Sequence, residues 1–117
     1  MSFLANLFVA LVALLHVYFL VLEMFLWTKP VGLATFRQSL AKAQESAVLA
    51  ANQGLYNGFL AAGLIWGLWT DQFAVKMFFL ICVVIAGIYG GITARRTILY
   101  VQALPGLLAL LLLYFSR

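Results

Sequence analysis

The sequence predicts an all-α integral membrane protein, a four-transmembrane-helix bundle with up-down topology. Three observations predict it. Of 117 residues, 67% are hydrophobic and 9% are charged, whereas a soluble domain has about a quarter of its residues charged. The polar coat of a soluble globule is missing, and the mean hydropathy is +1.12. Finally, four apolar stretches, about 3–27, 46–69, 73–94 and 98–116, are near the roughly 20 residues that a bilayer crossing needs. They leave too little chain for a second domain, so residues 1–117 read as one transmembrane domain.

The first stretch, "MSFLANLFVALVALLHVYFLVLEMFLW", lacks a basic leading region and a small-residue cleavage site, so it is expected to persist as helix 1 rather than serve as a signal peptide. A basic amphipathic loop, 28–45, follows. It opens on a Lys29-Pro30-Val31-Gly32 breaker, and Phe36, Leu40 and Ala43 then share one side at helical spacing. Such a piece is expected to lie on the membrane surface. The remaining links, near Thr70-Asp71 and Arg95-Arg96, are tight turns that favour antiparallel neighbours.

The positive-inside rule orients the bundle. Lys29, Arg37 and Lys42 in the first loop, with Arg95 and Arg96 in the third, outweigh Lys76, Asp71 and Arg117 on the other side. Both termini are therefore expected outside a bacterial cytoplasmic membrane crossed four times. Trp27, Trp66 and Trp69 fall near helix ends, where indole belts sit.

The polar side chains then sort by depth. Glu23, Asn52, Gln53, Tyr89, Thr93 and Gln102 are expected in the cytoplasmic third, with His16 and Asn57 deeper. Asn52, Gln53, Tyr56 and Asn57 span an arc of about 140° on helix 2, too wide for one helix contact. Part of that arc is expected to face a neighbouring subunit. Such residues also serve as interhelical glue, worth about 0.6–2 kcal/mol each, and the two readings weigh evenly. Gly54 and Gly58, Gly63 and Gly67, and Gly87 and Gly91 are small-xxx-small pairs and read as packing positions. Cys82 reads as a small apolar filler. Glu23 and His16 stand apart as candidate catalytic proton carriers. An ionisable group in the membrane interior costs at least about 2.5–3.5 kcal/mol, so function is its default reading.

Several chemistries are excluded. One His, one Cys and three acidic residues make no convincing metal site, and no catalytic triad is evident. "GIYGG" lacks the strand-turn-helix context of a phosphate loop. Nucleic-acid binding would need a clustered basic surface. No cofactor is indicated.

"HVYFLVLEMFLW", "NQGLYNGFLAAGL", "AGIYGGIT" and "VQALPGLLAL" together resemble the Domain of Unknown Function 1304 family, short four-helix membrane proteins sometimes labelled epimerases. In addition, "AQESAVLAANQGLYNGFLAAGLIWG" looks like helix 2 of the MAPEG superfamily. That resemblance implies a trimer, with lipophilic ligands and, in the enzymes, glutathione bound between subunits. It carries over onto Asn52 and onto Arg95 or Arg96, near the place of a catalytic arginine. Helix 2 here has none of the arginines that hold glutathione in that superfamily, which puts glutathione conjugation in doubt.

The leading expectation is thus a MAPEG-like homo-oligomer, a trimer in preference to a dimer, that sits among membrane lipids and binds or transforms a small lipophilic molecule. Asn52, Gln53, Tyr56, Asn57, Tyr89, Thr93, Gln102, Arg95 and Arg96 would bind the ligand. The alternatives are a small proton-coupled transporter using Glu23 and a structural subunit of a larger membrane complex.

Overall fold

The computed structural model describes residues 3–116, and among them the chain is all-α. Five helices are present: α1 Phe3–Met24, α2 Pro30–Phe36, α3 Leu40–Thr70, α4 Phe73–Thr93 and α5 Leu104–Phe115, the last entered through a π-helical segment, Leu99–Ala103. By length and composition, α1 and α4 are apolar enough to cross a membrane, and Leu99–Phe115 is a shorter apolar stretch. The polar run from Asn52 to Asn57 dilutes α3 below the same hydropathy. Arg117, counted in the charge balance above, lies outside the described residues.

The helix ends follow local chemistry and correct the predicted boundaries. Helix α1 stops at Met24, not at residue 27: Phe25 N–H still makes the helical bond to Val21 O at 3.0 Å, but Leu26 N–H shares that carbonyl at 3.1 Å instead of continuing the i→i−4 ladder. Pro30 then forces Lys29 into extended backbone (φ −87°, ψ 161°) and opens α2 with its own fixed φ. Seven residues later Arg37 turns left-handed (φ 51°). Gln38 N–H closes the turn onto Leu33 O at 3.1 Å, a Schellman-type ending. The continuous surface helix with Phe36, Leu40 and Ala43 on one side is therefore not formed. Leu40 and Ala43 belong to α3, whose first turn is capped by Ser39: its Oγ accepts Lys42 N–H at 3.2 Å and its carbonyl accepts Ala43 N–H at 3.0 Å.

This early start gives α3 31 residues, about 46 Å of helix against a hydrocarbon core of about 30 Å. Its far end repeats the left-handed device at Asp71 (φ 50°), with Gln72 N–H on Gly67 O at 3.0 Å. The π segment has a cause in sequence as well. Pro105 offers no N–H to the carbonyl four residues back, and the preceding turn widens so that Leu104 N–H reaches Leu99 O.

The chain groups into two compact units, one of residues 15–59 and the other of the first residues through Leu14 with 60 onward. In the latter, Val9, Val12, Leu64, Leu80, Val83 and Leu113 form a core drawn from four helices. Glycines set how closely those helices approach. A methyl at Gly67 would lie 2.7 Å from Lys76 Cγ, and one at Gly87 would lie 2.7 Å from Ala103 N. In the 15–59 unit, Gly54 meets Met24 and Glu23, and Gly58 meets Leu20. The paired glycines thus act as packing positions on α3 and α4.

The nature of the neighbour decides what a substitution costs. At Gly87 the obstacle is backbone, which cannot step aside, so Gly87→Ala is expected to lose about 1–3 kcal/mol. At Gly58 the obstacle is the flexible end of Leu20, and Gly58→Ala is expected to change stability by less than half as much. Thermal midpoints in one detergent compare the two; equal losses would contradict this account.

Candidate functional site

Within residues 15–59, the second half of α1 lies along the middle of α3. Gly54 and Gly58 remove side chains from α3 where Leu20, Glu23 and Met24 press against it. Asn57 sits between these two points of approach, and its Nδ2 donates a hydrogen bond to Glu23 Oε1 at 2.5 Å. The sequence reading sets Asn57 deeper than Glu23, but the two are level. Their hydrogen bond brings the two side chains to the same height along the packed helices.

Both partners are half-buried. An Asn amide suits a carboxyl in this setting, because it donates to a carboxylate and can also accept from a protonated carboxyl. Two turns earlier on α1, His16 is fully buried, with its ring edge-on to Phe19 at 5.2 Å between centroids.

Beside this pair lies an open groove of about 620 Å³, lined by Met24, Glu45, Val48, Leu49, Asn52 and Leu55, with Ala51. Glu45, Val48, Leu49 and Asn52 recur at the three- and four-residue spacing of one helix face. Val48 is 86% exposed and Leu49 71%. The groove therefore has apolar walls, an amide toward one end and a carboxylate at the other. Asn52 and Gln53 are both exposed, and neither side chain hydrogen-bonds to another described residue. Tyr56 is exposed and packs edge-on against Phe59 at 5.8 Å.

Sequence reasoning misses Glu45 because it assigns 28–45 to a loop, and Met24 because an apolar side chain on an apolar helix gives no polar signal. Carrying the helical register back from Asn52 finds Glu45.

The other predicted residues lie in the second unit. Tyr89, Thr93, Arg95 and Arg96 are exposed there. Thr93 Oγ1 donates to Tyr89 O at 2.7 Å, so its hydroxyl is satisfied within its own helix. Gln102 Nε2 donates to Val83 O at 3.2 Å and joins the π segment to α4.

Sequence reasoning also misses a polar cluster in this unit. Lys76 is fully buried, and its Nζ donates to Asn6 Oδ1 at 3.0 Å and to Asp71 Oδ1 at 2.9 Å. Among the described residues, no group of three or more His, Cys, Asp and Glu could hold a metal ion.

Comparison with known proteins places these residues in context. The model of a family described as protein of unknown function (DUF1304) matches residues 10–114. The chain is also 30% identical over 109 residues to the uncharacterised protein YpaA of Lactococcus lactis, covering 90% of this chain and 92% of that one. No solved structure matches.

Proposed function

The chain belongs to the DUF1304 family, and from that premise we propose that it is a multi-pass membrane protein, MAPEG-like in its four spans, which binds a small lipophilic molecule as a homo-oligomer. The groove on α3 carries this reading. Its walls are apolar and exposed, as a site entered from lipid would be, and Asn52 and Glu45 give it polar groups that can orient a bound amphiphile. A bilayer setting is supported by the helices themselves. Only 28% of the apolar window of α1 and 22% of that of α4 is buried, which favours a lipid-facing setting over the core of a soluble domain.

An unpartnered amide exposed to hydrocarbon is costly, and Asn52 and Gln53 are two. A ligand satisfies the first, and a neighbouring copy of the chain satisfies the second. Four spans with outside termini in a bacterial cytoplasmic membrane agree with the loop charges. Whether the bound molecule is transformed turns on Glu23, whose chain neighbour Met24 lines the groove.

Native mass spectrometry of protein extracted in a mild detergent tests the proposal. A trimer or dimer that retains a small molecule is the expected outcome. Asn52→Ala should keep the oligomer while weakening retention about fivefold, the equivalent of one interhelical hydrogen bond of about 1 kcal/mol. Protein recovered without detergent in the soluble fraction, or a ligand-free monomer, would overturn it.

A further inference from the structure

We infer that α2 is a docking element for anionic phospholipid headgroups. The inference rests on the membrane reading above but not on the ligand groove. Gly32 is buried and Leu33 and Phe36 half-buried, so they form the inner side of this helix, whereas Pro30, Val31, Ala34 and Thr35 are exposed. This outer face offers no unmet polar side chain, because Thr35 Oγ1 donates to Val31 O at 2.7 Å within the helix.

Both ends of the helix are basic. Lys29 is its N-cap and Arg37 its C-cap, roughly 12 Å apart, and Lys42 follows in the first turn of α3. All three are exposed, and no acidic residue occurs between Glu23 and Glu45. An apolar outer face between unneutralised cations complements the boundary between acyl chains and an anionic headgroup layer.

The element is also held in place. Gly32 packs onto the Leu26 carbonyl, leaving no room for a side chain. Phe36 packs tilted against Trp27 at 4.8 Å between ring centroids, and Trp27 Nε1 donates to Ser46 Oγ at 3.1 Å, which itself donates to Lys42 O at 3.0 Å. The short helix is thereby fixed to the end of α1 and the start of α3, so binding need not order it first.

The test uses the full chain in nanodiscs of phosphatidylcholine alone or mixed with phosphatidylglycerol, with retained lipids counted by native mass spectrometry. Wild type is expected to retain phosphatidylglycerol in preference, less so at high salt. Each of Lys29→Gln, Arg37→Gln and Lys42→Gln should reduce that preference about fivefold. These side chains are exposed, so the variants should still fold, and the salt titration of wild type stands without them. Equal retention of both lipids by wild type, or an unchanged preference in all three variants, would overturn the inference. Protein that never enters the nanodiscs would instead overturn the membrane reading.

Discussion

Asn6→Leu is expected to destabilise the protein by about 2–3 kcal/mol, while Lys76→Met leaves stability within about 1 kcal/mol of wild type. The asymmetry follows from which group is stranded. The Lys76 ammonium is fully buried, with Asn6 and Asp71 as its acceptors. Hydrogen bonds to charged groups contribute about 1.5–3 kcal/mol, and a buried charge that loses an acceptor keeps its desolvation cost. Methionine removes the buried charge itself, and the Asp71 carboxylate that it leaves is 66% exposed, so it stays hydrated and little is stranded. Thermal unfolding in detergent separates the two. If Lys76→Met is as damaging as Asn6→Leu, the charge contributes something that its burial does not explain.

The same cluster sets an acid limit. The hydrogen bond from Lys76, and then its positive charge, hold the Asp71 carboxyl below its usual range. A carboxyl whose folded pKa lies below its unfolded one adds stability above the unfolded value, about 4. That stability is lost as pH falls through the folded value. Wild type should therefore lose stability below about pH 4 in a way that Asp71→Asn does not.

Much of this was legible in the sequence, for identifiable reasons. Apolar runs and glycine spacing depend on composition and period alone, and the helices and the close approaches at Gly54, Gly58 and Gly87 follow from them. The family resemblance, resting on runs such as Asn52 to Asn57, was equally plain. What escaped depends on contacts between distant residues. Asn6 and Lys76 are 70 positions apart, and nothing in the local pattern around either announces the other. The capping by Ser39 is hidden differently: the Pro30 and Gly32 breakers make the whole of 28–45 read as a loop, although Ser39 followed by Leu40 is a fair helix start. That one boundary hides Glu45 from the groove.

The Glu23–Asn57 pair has the largest expected consequence for activity, and two substitutions that look alike on stability grounds should separate there. Glu23→Gln keeps the length of the side chain and still offers an oxygen to Asn57 Nδ2, so its stability should stay within about 0.5 kcal/mol of wild type. Asn57→Leu strands a half-buried carboxyl and should cost about 0.6–2 kcal/mol, the range of polar contacts between membrane helices. Function should follow the opposite order. An amide at position 23 cannot take up and release a proton, whereas the carboxyl retains that ability when its amide partner is replaced by an apolar side chain. If this carboxyl drives proton-coupled exchange, the second reading of the site, then pH-driven flux in proteoliposomes should vanish in Glu23→Gln and persist, weakened, in Asn57→Leu. If Glu23 serves only as packing, both variants should track their stabilities, and Glu23→Gln should behave as wild type in every assay. A Glu23→Gln protein that is stable, binds ligand normally and shows the same pH response would leave the pair as interhelical glue.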